Sequence, residues 1–82
     1  MKLYSLITGS AGLLGKYHAE ALLQLNLNIV LTDINRKALD VTFKNLKELY
    51  PKKNIIKSML DVSSSRSIEK TIRNLRKKNI II

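Results

Sequence analysis

The chain has 82 residues, 45% of them hydrophobic, with 15 Lys and Arg against 6 Asp and Glu, for a net charge of +9 at pH 7. That length holds at most one small domain, and the apolar content is that of a globular chain rather than a disordered one. The absence of cysteine excludes a disulfide framework and a thiolate metal site, and it suits a reducing cytoplasm, where the chain is expected to reside.

In chain order, Leu3–Thr8, "LYSLIT", is a short apolar run that predicts a buried strand. It ends too soon for a signal peptide, and a membrane span needs about 20 apolar residues. The next stretch is "TGSAGLLG", and it contains Gly9, Gly12 and Gly15, the 3 glycines of the whole chain. From Leu13 the pattern is helical, with Leu14, Tyr17, Ala21 and Leu25 as the expected buried face and Lys16, Glu20 and Gln24 on the other side. His18, the lone histidine, lies near this stripe and is expected to be packed or half-buried, and Asn26 is the expected stop. "NIVLTD", Asn28–Asp33, predicts a second buried strand. "INRKALDVTFKNLKELY" then sets Leu39, Phe43, Leu46 and Tyr50 on one helical face, and Pro51 ends it. "NIIKSML", Asn54–Leu60, predicts a third strand, and "DVSSS" supplies turn and cap residues. Ile68, Ile72 and Leu75 form the stripe of a third helix ending in "RKK", and "NIII" opens a fourth strand.

Alternation of strands and helices with short connections implies parallel strands joined by right-handed crossovers. The positive charge is spread over the helices, with its nearest cluster at Arg73, Arg76, Lys77 and Lys78. Such a spread is expected of a solvated face, so nucleic acid is not the expected partner. A small basic module that binds nucleic acid through the third helix remains the alternative of a different class.

The glycines sit where a strand turns into a helix, and a dinucleotide site makes three demands there. One glycine allows the tight turn, another lets the backbone approach a pyrophosphate, and a third lets helix and strand pack closely. The helix N-terminus then offers unpaired N–H groups to the phosphates. The spacing is G-x-x-G-x-x-G rather than G-x-G-x-x-G, and no Gly-Lys-Ser/Thr follows as in a P-loop. Asp33 closes the second strand, 18 residues beyond Gly15, where a carboxylate accepts hydrogen bonds from an adenosine ribose. Asp61 closes the third strand in "LDV". Three features at the C-terminal ends of successive strands share the crevice where open α/β sheets bind ligands.

Together, "TGSAGLLG", "LTDIN" and "LDVSSSRSIEKTI" resemble the N-terminal half of a short-chain dehydrogenase/reductase, over the whole chain. The resemblance implies an α/β fold, a truncated Rossmann-like three-layer sandwich with strand order 3-2-1-4, in which residues 1–82 are the N-terminal part of a dinucleotide-binding domain cut at the fourth strand. It implies that Thr8 and Gly9 shape the turn and that the backbone around Gly12, Leu13 and Leu14 receives the pyrophosphate. Asp33 would hold the ribose hydroxyls, and Asp61 with Val62 would contact adenine. Ser10, Ala11, Gly15 and Ile34 complete the implied cofactor-binding set. The glycine spacing is closer to the family's extended branch of nucleotide-sugar epimerases and dehydratases. "DVSSSRSIEKTI" looks more like its ordinary oxidoreductases, so both branches stay open.

A carboxylate at Asp33 would repel the 2′-phosphate of NADP, so NAD is the expected cofactor. The family's Tyr-x-x-x-Lys acid/base pair is not in this sequence: the fourth residue after Tyr4 is Thr8, after Tyr17 Ala21, and after Tyr50 Asn54. The chain is therefore expected to bind the adenosine end and to catalyse nothing alone, with no metal and no membrane as partner. The apolar fourth strand, at an uncovered edge, favours self-association.

Overall fold

A computed structural model describes residues 2–82. Among them, strands and helices alternate as β1 (Lys2–Leu3), β2 (Ser5–Ile7), α1 (Leu13–Gln24), β3 (Ile29–Asp33), α2 (Arg36–Leu49), β4 (Ile55–Met59), α3 (Ser65–Lys77) and β5 (Ile80–Ile81). The strands pair in parallel as β2-β3-β4 and as β1-β5. Leu6 lies opposite Val30, Val30 opposite Ile56, and Leu3 opposite Ile81.

The run expected as one strand over 3–8 is thus two strands, with Tyr4 between them and Thr8 already in the turn. Alternate residues of a parallel strand bond to opposite neighbours. Tyr4 N–H donates to the Ile81 carbonyl at 2.7 Å, and Ser5 N–H donates to the Asn28 carbonyl at 2.9 Å. Because β5 has only two residues, its ladder stops where the β3 ladder begins. Hydrogen bonding therefore describes a three-stranded and a two-stranded sheet, not one four-stranded sheet in the order 3-2-1-4.

Two apolar layers sandwich the strands. Ile7, Ile29, Leu31 and Ile55 pack with Ala19 and Leu23 of α1 and with Leu39 and Leu46 of α2. On the opposite face, Tyr4, Val30 and Ile80 pack with Leu75 of α3. The central strand β3 is closed on both sides, which explains why its sequence is a continuous apolar run.

The second helix matches its expectation: Phe43 and Tyr50 pack beside buried Leu39 and Leu46. The Asn35 side chain caps it by accepting from Ala38 N–H at 3.0 Å. Ser64 caps α3 likewise, accepting from Ser67 N–H at 3.1 Å. Its buried residues are Thr71 and Leu75, while Ile68 at the start of the stripe is exposed.

The first helix corrects its expectation. Leu14, Tyr17, Ala21 and Leu25 are exposed, and the buried positions are Ala19 and Leu23. His18 is exposed too, rather than packed. The side that meets the sheet is the one bearing the small residues Gly15 and Ala19, because only there can the helix approach the preceding turn. Asn26 does stop the helix. It sits at φ +62°, its N–H bonds the Leu23 carbonyl at 3.0 Å, and Leu27 N–H reaches back to Leu22 at 3.1 Å. This is the left-handed cap that usually takes glycine and that asparagine tolerates. Among the described residues, no helix is long and apolar enough to cross a membrane.

Candidate functional site

The turn between β2 and α1 is built from its three glycines in three different ways. Gly9 has φ +59°, a conformation that L side chains rarely adopt, while the space around its Cα is open. A Cβ on Gly15 would stand 2.3 Å from the Gly9 carbonyl oxygen and 2.8 Å from Ser10 Cα, so α1 lies directly on the turn. Gly12 is the exposed N-cap of α1, its N–H donating to Gly9 O at 3.0 Å. No side chain caps this helix, and its first turn holds no acidic residue. The leading N–H groups of Leu13, Leu14 and Gly15 have no acceptor within the helix, which leaves a concentration of partial positive charge at the mouth of the turn.

Beneath this mouth a buried polar cluster fastens the turn to β3. Ser10 is fully buried, and its N–H and Oγ both donate to the Thr32 carbonyl, at 3.0 and 2.9 Å. Thr32, equally buried, donates from Oγ1 to the Ile7 carbonyl at 2.6 Å. Ser10 therefore lies under the turn with its hydroxyl spent, and it bears on a ligand only through the shape it gives the loop. Thr32 is part of the site that the sequence reading missed. The residue before Asp33 looked like one more strand residue, and nothing in "LTD" reveals that its hydroxyl faces a neighbouring carbonyl.

Asp33 ends β3 beside the same turn. Its Oδ2 accepts from Ala11 N–H at 3.0 Å and its Oδ1 from Asn35 N–H at 2.9 Å, while its own carbonyl accepts from Leu60 N–H at 3.2 Å. A carboxylate offers about four acceptor sites, so lone pairs remain for two hydroxyl groups. Ile34, next in the chain, is 64% exposed.

Asp61 follows β4. Its Oδ1 accepts from Ser63 N–H at 3.0 Å and from Ser63 Oγ at 2.6 Å, and its N–H donates to Ser67 Oγ at 3.1 Å. The Ser63 hydroxyl and then the Ser63 amide hold its carboxyl below the ordinary aspartate value, against a smaller opposing effect of desolvation. Ile34, Leu60, Asp61, Ser67, Lys70 and Asn74 border a recess of about 370 Å³, and Val62 is exposed. A second open recess, of about 320 Å³, lies between α2 and β4 around the Asp40–Lys57 ion pair and includes no residue of the glycine turn.

The structure thus joins the glycine turn to Asp33 through the Ala11 N–H bond, with Ile34 next in the chain and exposed. Asp61 borders the recess that also holds Ile34, whereas Val62 lines a separate apolar recess with Leu6, Thr8, Leu60 and Ile68. His18 is set apart, in a groove with Leu6, Ile7, Thr8, Ala21 and Leu22. Among the described residues, no group of three or more His, Cys, Asp or Glu comes together.

No protein-family model matches the chain, and no curated protein matches it. Solved structures do. The chain is 27% identical to an NAD⁺-bound xylitol dehydrogenase, with a TM-score of 0.79 over 93% of this chain and 28% of that one. It is 25% identical to a candidate D-mannonate oxidoreductase from Haemophilus influenza with bound NAD, with a TM-score of 0.78 over 94% of this chain and 26% of that one. A short chain dehydrogenase from Mycobacterium smegmatis gives a TM-score of 0.84 at 23% identity, over 98% of this chain and 33% of that one. This chain therefore spans between 26% and 33% of the length of these proteins. With its parallel strands, its helices on both faces and its glycine turn, the chain has a Rossmann-like fold similar to segments of the dehydrogenases and reductases that it matches.

Proposed function

We propose that this chain binds the adenosine and pyrophosphate end of a nicotinamide dinucleotide, NAD in preference to NADP. It would act as the cofactor-binding segment of a short-chain-type oxidoreductase in the cytoplasm. The observation that carries the reading is the placement of the Asp33 carboxylate beside the uncapped N-terminus of α1. The residues present fit the group. Gly12 leaves the mouth of the turn open, the N–H groups of residues 13–15 face a position that suits an anion, and Asp33 retains acceptors for the two ribose hydroxyls. Two of the similar structures hold NAD, which supports a nicotinamide dinucleotide as the ligand.

When bound, a nicotinamide dinucleotide carries hydride to or from a carbonyl. This chain's own residues bind and orient: the α1 N-terminus neutralises phosphate charge, Asp33 selects the ribose, and Asp61 with Val62 borders adenine. With no Tyr-x-x-x-Lys in its sequence, the chain binds without turnover. A 2′-phosphate of charge about −2, roughly 4 Å from Asp33, is disfavoured by about 2 kcal/mol even in water, or roughly thirtyfold in affinity.

The test is an amide NMR titration of the whole chain. NAD should shift residues 9–15, Asp33 and Asp61, with NADP at least tenfold weaker. If nothing moves at millimolar NAD, the reading is wrong.

A second reading rests on α3, whose exposed face carries Arg66, Lys70, Arg73 and Lys77. Binding of nucleic acid there would fall steeply with salt, whereas NAD held by hydrogen bonds would lose little.

A further inference from the structure

The bond between Ala11 N–H and Asp33 Oδ2, 3.0 Å long, joins residues 22 apart in the chain. It links the group that reads the ribose to the loop that meets the phosphates. Ser10 anchors the base of that loop to buried backbone, and Ala11 is the next residue outward, half-buried, immediately before the N-cap Gly12. The Asp33 bond is therefore the last fastening before the open N–H groups of α1. On the other side, Asn35 N–H holds the same carboxylate at 2.9 Å, so it cannot swing away freely.

We infer that Asp33 has a second role, as a positioning residue for the pyrophosphate site, so that ribose recognition and phosphate recognition depend on one carboxylate. The inference rests on the dinucleotide reading above. It makes a claim of unusual sign. Considered as a charge alone, Asp33 repels a phosphate, and its removal should tighten binding of any bare polyphosphate. Considered as a fastening, it holds the turn in register with the helix N-terminus, and its removal should weaken that same binding. A ligand that has phosphates and no ribose separates the two.

The experiment titrates inorganic pyrophosphate and, separately, adenosine into the isotope-labelled whole chain and its D33N and D33A variants, at constant ionic strength. Hydrogen exchange of the Ala11 amide is followed in the free wild type. The fastening predicts slowed exchange at Ala11 and a loss of pyrophosphate affinity of roughly three- to tenfold in D33N and more in D33A. The loss in D33N is the size of one ordinary hydrogen bond. Dispersed Val30 and Leu31 amides show that a variant is folded. If pyrophosphate binds as tightly or more tightly to the folded variants while adenosine weakens, the inference is overturned and the dinucleotide reading stands. A wild type that responds to neither ligand sinks the dinucleotide reading and the inference with it. Should neither variant fold, the wild-type Ala11 amide decides: exchange at the rate of an unprotected amide refutes the fastening, and slowed exchange supports it.

Discussion

Replacing Gly15 by alanine tests the geometry of the turn more directly than any ligand. The added methyl would lie 2.3 Å from Gly9 O, 2.8 Å from Ser10 Cα and 3.0 Å from the Gly9 carbonyl carbon, all of them backbone atoms that cannot rotate aside. Ordinary contact begins near 3.4 Å, so α1 or the turn must move by about 1 Å. That movement is opposed by Ala19 and Leu23, both fully buried against the strands, and by the buried Ser10–Thr32 bonds. Overpacking of this kind costs up to about 3 kcal/mol, offset by about 1 kcal/mol of helix propensity gained over glycine. The net loss is about 2 kcal/mol, out of a total of roughly 4–12 kcal/mol for 82 residues. Urea denaturation followed by circular dichroism reads it, because a slope near 1 kcal/mol/M turns the loss into a midpoint lower by about 2 M. G9A should lose about 1 kcal/mol, from its left-handed backbone alone. In G12A the new methyl meets Gly9 O at 3.3 Å, a contact that a few tenths of an ångström relieve, so it should lose less than G9A. A G15A protein as stable as the wild type, or less damaged than G9A, would refute the close approach of α1 to the turn.

The two sides of α1 provide a second test: L23A should cost about 2–5 kcal/mol and L25A less than about 0.5 kcal/mol, both read from urea midpoints. T32V removes the hydroxyl that satisfies the buried Ile7 carbonyl and should cost about 1–3 kcal/mol, with calorimetry as the check. For Asp61, the lowered carboxyl value means that its contribution to stability is present above the unfolded-state value and disappears as pH falls through the folded one. The Ser63 amide shift should therefore titrate below the ordinary aspartate range in the wild type and move upward in S63A, with no change between pH 7 and pH 5. G12A should weaken NAD while leaving the urea midpoint nearly unmoved, since the methyl crowds the mouth of the turn rather than the core.

How far the site was legible depends on whether a residue acts by type or by direction. Three glycines confined to one strand-to-helix turn carry their meaning in their lack of a side chain, so their presence and spacing are enough to locate the turn itself. Asp33 and Asp61 end predicted strands, and chain topology places them along the same edge without further information. What the sequence does not carry is where each polar atom turns. Nothing in "TGSAGLLG" says that Ser10 points inward to Thr32 while Ala11 offers its N–H to Asp33. Nor does "LDVSS" distinguish a carboxylate free to meet a ligand from one that already closes a turn with Ser63. Residues of this sort are chosen by backbone hydrogen-bond needs that exist only once the strands are aligned.

The misjudged face of α1 has a different physical origin. Periodicity finds a buried face when apolar and polar residues segregate, as they do on α2, where Leu39, Phe43, Leu46 and Tyr50 all turn inward. On α1 they do not segregate: Leu14, Tyr17, Ala21 and Leu25 form one stripe, while Gly15, Ala19 and Leu23 form another on the far side. Counting hydrophobic bulk favours the first stripe. Geometry favours the second, because the helix must cross the turn at Gly15, where even a methyl meets backbone at 2.3 Å. The glycine that lets helix and turn approach so closely thus also decides which side of the helix enters the core, with Ala19 keeping the approach close and Leu23 filling the space beyond. A stripe of small residues can outrank a stripe of large ones wherever a backbone, rather than a layer of side chains, is the surface being approached.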